Sequence, residues 1–362
     1  MSETGSFSAF MKKQGISITF DRICIKALGA MAHGLFASLL IGTIIKTIGQ
    51  NVPALAFMVD YGNYASAVTG AAMACSIGYA LQCPPFVLYS LLAVGGAANT
   101  LGGAGGPLAV FFIALIAIFA GKLVSKTTPV DLIVTPFVTI MVGVFAATIL
   151  APPIGTFAIW LGKLIYMATN LQPFLMGIIV SASMGIILTL PISSAAVCAA
   201  LGLVGLAGGA AVAGCCAHMV GFAVASYREN KVGGLLAQGI GTSMLQVPNL
   251  MKKPILWMPA VVASIVNGPI ATCVFKLKMN GAPISSGMGT SGLVGQIGVW
   301  SGWLNPSEAA LAFGEVAISP TAFDWIGLIV VSFVIPAIVA WLTSEFMRKK
   351  GMIVGDDLKI DC

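Results

Sequence analysis

Residues 111–120 read FFIALIAIFA, ten positions without a polar side chain on either alternating face. A membrane β-strand alternates apolar and polar residues over about ten positions, so this stretch is read as helix immersed in lipid. Working outward, there is no charged residue between Asp60 and Lys122, and none between Lys163 and Arg228. A bilayer core needs roughly 20 apolar helical residues per crossing. Each gap therefore holds about three crossings, with Gly, Pro, Asn and Gln as punctuation. Only 8% of the 362 residues are charged and 58% are hydrophobic, against about 25% charged in a soluble domain. No soluble surface can be built from that supply, and the fold class expected is an all-α, polytopic integral membrane protein of about 8–10 transmembrane helices.

The formal net charge is +6, but its placement points to topology rather than to a nucleic-acid partner. Lys12, Lys13, Arg22 and Lys26 precede the first apolar run, and Arg348, Lys349, Lys350 and Lys359 follow the last. The positive-inside rule then puts both ends in the cytoplasm of a multi-pass cell-membrane protein, with an even number of crossings. The first run, from Ala27 to Ile45, is too long for a signal-peptide core and lacks an Ala-x-Ala exit, so it is expected to be retained. The eight cysteines, at 24, 75, 83, 198, 215, 216, 273 and 362, form no CxxC and no metal spacing, and no metal or other cofactor is expected. They read as small buried residues in a reduced setting.

Membrane segments are expected near 27–48, 64–82, 85–99, 107–125, 132–151, 173–190, 195–226, 254–276 and 323–346. The stretch 195–226 is too long for one upright helix and reads as a broken pair. The organisation expected is a cytoplasmic segment 1–26, a first membrane half 27–153, an amphipathic interfacial connector 154–170, a second half 171–346, and a cytoplasmic tail 347–362. Three hydrophobic stretches, 94–107, 232–249 and 282–300, are too rich in Gly, Pro, Ser and Thr for plain crossings and read as re-entrant. Broken backbone at membrane depth survives only where it is buried in protein or lines a wet cavity, so such elements point to a solute site. An internal repeat is expected as well. MACSIGYAL at 73–81 resembles CAHMVGFAV at 216–224, and VGGAANTLGG at 94–103 resembles VGGLLAQGIG at 232–241. Pro136, Gly143 and Ala147-Thr148 have counterparts in Pro259, Gly268 and Ala271-Thr272. Transporters built from two such halves hold their solute between them near mid-membrane.

Polar side chains inside apolar runs are the candidate ligands. His33 and His218 can bind a hydroxyl or carry a proton. Gln82, Asn99, Gln238, Gln246, Asn249 and Gln296 carry amides that donate and accept at once, which suits a polyhydroxylated solute. Those in glycine-rich breaks, Asn99, Gln238 and Gln296, are the stronger candidates, and the mid-helix Asn267 reads as structural. The segment NGAPISSGMGTSGLVGQIG, 280–298, offers the hydroxyls of Ser285, Ser286, Thr290 and Ser291, but it has no phosphate-loop lysine and no preceding strand. Glu315, within FGEVAISP, reads either as a solvated acid of an external loop or as a carboxylate dipping into the cavity. No enzyme constellation emerges: there are two histidines, no paired carboxylates at useful spacing and no GxSxG elbow.

Three long segments carry a family resemblance. QPFLMGIIVSASMGIILTLPISSAA from Gln172, GCCAHMVGFAVASYRENKVGGLLAQGIGTSMLQVPN from Gly214 and NGAPISSGMGTSGLVGQIG from Asn280 together resemble the PfoR-like branch of the phosphotransferase-system EIIC superfamily. The resemblance implies the membrane subunit of a sugar carrier, generally a homodimer, served by separate soluble IIA and IIB proteins. The Gly-Ile-Thr-Glu motif of sugar EIIC proteins is not matched; Gly314-Glu315 is at most an echo of it. The function expected is a permease for a small polar solute, sugar-like or a hydroxylated acid, working by alternating access. Two alternatives stand beside it: a membrane-embedded sensor that binds the same ligand without flux, and a subunit strictly dependent on IIA and IIB.

Overall fold

The computed structural model describes residues 14, 16 and 19–360. Most of the N-terminal segment 1–26, with Lys12 and Lys13, lies outside the described residues, as does Cys362. Among the described residues the chain is helical with no strand. Within these described residues, six helical stretches are long and apolar enough to cross a membrane: Asp21–Gln50, Pro85–Val124, Asp131–Asn170, Gly205–Ala225, Pro254–Val274 and Ala322–Lys349. Pro173–Thr189 is a shorter apolar helix. Their outward faces are apolar; Phe137, Phe145 and Ile149 on the third stretch are exposed, Phe145 by 66%. A monomeric soluble protein rarely shows a contiguous apolar patch of more than a few hundred Å², so lipid is the solvent that suits these faces.

The chain divides into two compact units, one of residues 1–42 with 63–157, the other of 43–62 with 158–362. In the first unit, α1 (Leu28–Leu35), α2 (Thr69–Ala80), α3 (Pro85–Gly102) and α4 (Gly106–Val124) pack through small residues. A methyl at Gly34 would fall 2.5 Å from the Ala72 carbonyl oxygen, and methyls at Gly70 and Gly95 would each overlap the other's backbone. That is how helices approach when lipid gives no hydrophobic drive for their association. The stretch 85–124 is a hairpin, because Gly121 lies against Val87 and Gly102 against Ala109. Gly103, at φ +50°, makes the turn. The expected re-entrant element 94–107 is therefore regular helix up to Gly102, broken only at the 3₁₀ turn Gly103–Gly105.

Helix α5 spans Asp131–Met167 without interruption, despite Pro136, Pro152 and Pro153. This corrects the expectation of a separate interfacial helix beginning at 154. A proline costs a helix one backbone bond and kinks it, but lipid offers the freed groups no better partner, so the helix continues.

The second unit is built around α8 (Gly205–Ala225), whose residues are nearly all buried. Around it stand α6 (Pro173–Thr189), α7 (Ser194–Leu201), α9 (Tyr227–Leu236), α10 (Met258–Pro269), α11 (Val294–Leu304), α12 (Ala322–Ile329) and α13 (Ile335–Lys349). The stretch 195–226 is indeed a broken pair, α7 and α8, joined through Gly202 at φ +60°. A Cβ at Gly214 would overlap the Ser181 backbone, and one at Gly177 would fall 2.9 Å from the Gly268 carbonyl, so α6 lies tight against both α8 and α10. At the far end of α8, Arg348 donates to the Ala225 carbonyl at 2.9 Å and grips Glu229 at 2.8 Å. A cation on the last turn of a helix complements its unpaired carbonyls.

The glycine-rich stretches 232–249 and 282–300 are chains of short, mostly buried pieces. The first runs from α9 through a π-helical turn, Ala237–Gly241, and a 3₁₀ turn, Ser243–Gln246, into Val247–Lys252. The second comprises Pro283–Ser286, a turn, a 3₁₀ piece Ser291–Leu293 and α11. Further π-helical turns interrupt the regular helices at Ile270–Val274 and Val330–Val334. Such turns free backbone carbonyls and recur at functional sites.

Candidate functional site

Helix α8 can lie at the centre of its unit because GLAGGAAVAGCCAHMVG, 205–221, presents little bulk on any face. Polar side chains from the surrounding elements then reach its backbone and its few polar groups. Asn267 of α10 donates from Nδ2 to the Ala213 carbonyl at 2.9 Å and to the Val331 carbonyl at 2.8 Å. Val331 belongs to the π-helical turn between α12 and α13. Gln296 of α11 donates from Nε2 to Ser332 Oγ at 2.9 Å and to Cys216 Sγ at 3.2 Å. Asn267 and Gln296 thus meet α8 and the 330–334 turn at adjacent positions.

His218 belongs to a second cluster on α8. Its Nδ1 lies 2.9 Å from Thr189 Oγ1, which is also 2.9 Å from Ser243 Oγ and 3.1 Å from the Gly185 carbonyl. If the threonine donates to that carbonyl, it accepts from Ser243 and from His218 Nδ1–H; this network leaves Nε2 as a bare acceptor. Phe222 and Trp257 flank the ring at 5.8 and 6.0 Å between centroids.

Four of these side chains hold a buried polar atom with no protein partner: Asn267 Oδ1, Gln296 Oε1, His218 Nε2 and Asn280 Oδ1. Each such atom costs about 1–3 kcal/mol if nothing satisfies it. Native proteins leave few of them, and ordered water or a ligand is the usual remedy.

Asn280 stands at the first turn of α8, where Gly205 and Met279 exchange two backbone hydrogen bonds of 2.9 Å. Its Nδ2 lies 3.4 Å from Glu315 Oε2, and Lys278 Nζ is 2.8 Å from the same oxygen. The carboxylate lines a cleft of about 290 Å³ with Tyr166, Thr169, Asn170, Phe313 and residues 202–207. Glu315 is thus ion-paired at the rim of an open cleft. Its side chain is 19% exposed and faces a cleft beside the α8 N-terminus.

The other candidates fall elsewhere. Gln238 donates from Nε2 to Ser226 Oγ at 2.9 Å and accepts from Gln246 at 2.9 Å. Gln246 in turn donates to the Leu358 carbonyl at 2.9 Å and accepts from Asn249, which donates to the Lys359 carbonyl at 2.7 Å. This amide ladder fastens the C-terminal segment, and Asn230 completes it with bonds to Leu358 and Ile360. Ser286 donates to the Leu203 carbonyl and Thr290 to the Gly239 carbonyl; Ser285 is buried beside Gly298. His33, Gln82 and Asn99 lie in the first unit. His33 is on an exposed face of α1, and Gln82, at φ +55°, occupies the exposed turn after α2. Asn99 packs its side-chain oxygen against Gly106 in the α3–α4 hairpin. Thr189, Ser243, Lys278, Asn280 and Ser332 join these clusters without having been singled out in the sequence, and Asn267, read as structural, bridges α10 to α8 and to the 330–334 turn.

Among the described residues no group of three or more His, Cys, Asp or Glu is placed to hold a metal. A family model described as "Phosphotransferase system, EIIC" matches residues 25–360. No curated protein and no solved structure matches. The match spans nearly the whole helical chain, including both clusters on α8 and the Glu315 cleft. The chain belongs to the phosphotransferase system EIIC family, the membrane permease components that work with separate IIA and IIB proteins.

Proposed function

We propose that the second unit binds a small polar solute, sugar-like or a hydroxylated acid, and carries it by alternating access along α8. The carrying observation is the set of buried, protein-unpartnered polar atoms on Asn267, Gln296, His218 and Asn280. A solute rich in hydroxyls is chemically suited to them, since each hydroxyl donates one bond and still accepts others. The Glu315 cleft, with Lys278 and the first turn of α8, is the entrance in this reading. The π-helical turns at 270–274 and 330–334 are the points where helices can change course. In keeping with the sequence resemblance, we place the chain in the PfoR-like branch, as a homodimer with both ends cytoplasmic.

A thermal-shift screen of the purified chain over sugars, sugar acids and small carboxylates tests binding, because a ligand at 100 times its Kd stabilises the folded state by about 2.7 kcal/mol. A hit is expected to lose its shift in Gln296→Leu and to keep it in Gln246→Ala, whose amide serves the C-terminal segment. Uptake into proteoliposomes, with and without IIA, IIB and phosphoenolpyruvate, then tests transport. Absence of any stabilising solute, or an undiminished shift in Gln296→Leu, would remove the α8 acceptors from the site.

A further inference from the structure

A second concavity of the same unit lies at the opposite end of α8 from Glu315. It has a volume of about 250 Å³ and is walled by Val224, Ala225 and Leu235, with Tyr227 and Trp341 at its sides. Arg228 and Glu345 close one edge, paired at 2.7 Å, and the arginine side chain remains 63% exposed. None of these residues takes part in the α8 clusters or the Glu315 cleft.

From this concavity one face of α13, continued into the π-helical turn before it, forms an apolar strip: Trp341, Ile338 and Val334 recur at helical spacing, and all three are exposed. Residues three and four apart share a helix face, so the strip leads straight to Glu345 and, one turn on, to Lys349. Arg228, Lys231, Lys349 and Lys350 are exposed at this end. Arg348 is not part of that supply, because Glu229 holds it in a pair that is 12% and 4% exposed. The nearby acids each hold a cation: Glu229 pairs with Arg348, Glu345 with Arg228, Asp357 with Lys253 and Asp356 with Lys359. Lys231, Lys349 and Lys350 remain as exposed cations in the segments that flank the concavity.

An aliphatic strip that ends in aromatic rings and then in cations matches a phospholipid from tail to headgroup. Trp and Tyr sit at headgroup depth, and basic pockets at the ends of transmembrane helices hold anionic headgroups. We propose that this concavity is a specific site for one anionic phospholipid, with its phosphate on Arg228 and Lys349 and an acyl chain along Trp341, Ile338 and Val334. Glu345 opposes the headgroup while it holds Arg228, so the lipid competes with that ion pair.

The competition supplies a test that a merely structural ion pair would fail. Native mass spectrometry of the full chain, released from detergent with phosphatidylglycerol or phosphatidylcholine, is expected to show preferential retention of phosphatidylglycerol. Arg228→Gln should lower that preference about fivefold, the worth of one surface cation toward an anionic headgroup. Glu345→Gln should raise it, although both variants break the same ion pair; size-exclusion profiles report whether each folds. Trp341→Ala is a second, uncharged variant, expected to weaken retention of both lipids. Equal retention of the two lipids, an unchanged preference in Arg228→Gln, or parallel losses in Arg228→Gln and Glu345→Gln would overturn the proposal. So would equally strong binding of glycerol phosphate, which would make this a free-phosphate site. A change of oligomeric state with no change in lipid preference would make it a contact between copies of the chain.

Discussion

Replacing Asn267 with leucine, a side chain of similar size, asks whether the α8 polar cluster is wet. The substitution removes two hydrogen bonds, to the Ala213 and Val331 carbonyls. Between transmembrane helices such bonds average about 0.6 kcal/mol and reach about 1.7. Their loss alone therefore costs about 1–3 kcal/mol. The same substitution also deletes Oδ1, which has no protein partner. In a dry core, removing that orphan would return about 1–3 kcal/mol, and the two effects would cancel. If water or solute satisfies Oδ1, nothing is returned and the full loss appears. The expected result is a destabilisation of about 2 kcal/mol, read from reversible unfolding in mixed micelles or from steric trapping. A neutral or stabilising Asn267→Leu would show a dry cluster and refute the reasoning.

Two further outcomes follow from packing and from the C-terminal segment. Gly214→Ala forces a methyl into the Ser181 backbone; neither α6 nor α8 can yield cheaply, so a loss of about 1–3 kcal/mol is expected, seen as a lower midpoint in a thermal-denaturation scan. Asp357 is raised by partial burial, but the hydrogen bonds from Lys253 and the Val354 N–H outweigh this and hold its carboxyl below the usual carboxylate range. Its contribution is whole above a pH of about 3.9 and is lost as pH falls through the lower folded value. The anisotropy of a dye on Gly355→Cys should therefore stay flat from about pH 8 to 5 and drop only below about 4; a drop near neutrality would contradict the Lys253–Asp357 attachment.

The helical membrane class was legible because FFIALIAIFA and the charge-free gaps admit no other solvent. The α7–α8 break was legible too, since 195–226 exceeds one crossing. The continuity of α5 through Pro152 and Pro153 was not, because local proline rules are written for helices that water can rescue. Gln296 could be singled out from its glycine-rich surroundings. Gln238 and Gln246 have the same surroundings, yet Gln246 donates to the carbonyl of Leu358, more than a hundred residues on, and Gln238 accepts from Gln246. No local pattern announces such a pairing. Asn267 looked like interhelical glue from its regular helix, and it is glue through Nδ2; only the three-dimensional neighbourhood reveals the idle oxygen. Lys278 and Asn280 were hidden at the edge of the conspicuous segment 280–298, where a bridge to Gly205 brings them beside Glu315.

Cys216 offers the most direct measurement of whether solute and water reach α8, since its sulfur accepts from Gln296 at 3.2 Å and is fully buried in the resting structure. In a variant keeping Cys216 as its single cysteine, a small cationic methanethiosulfonate should modify the native protein in membranes, and a bound solute should slow the reaction. A Cys216 that stays unmodified until the protein is denatured would contradict a watery path along α8.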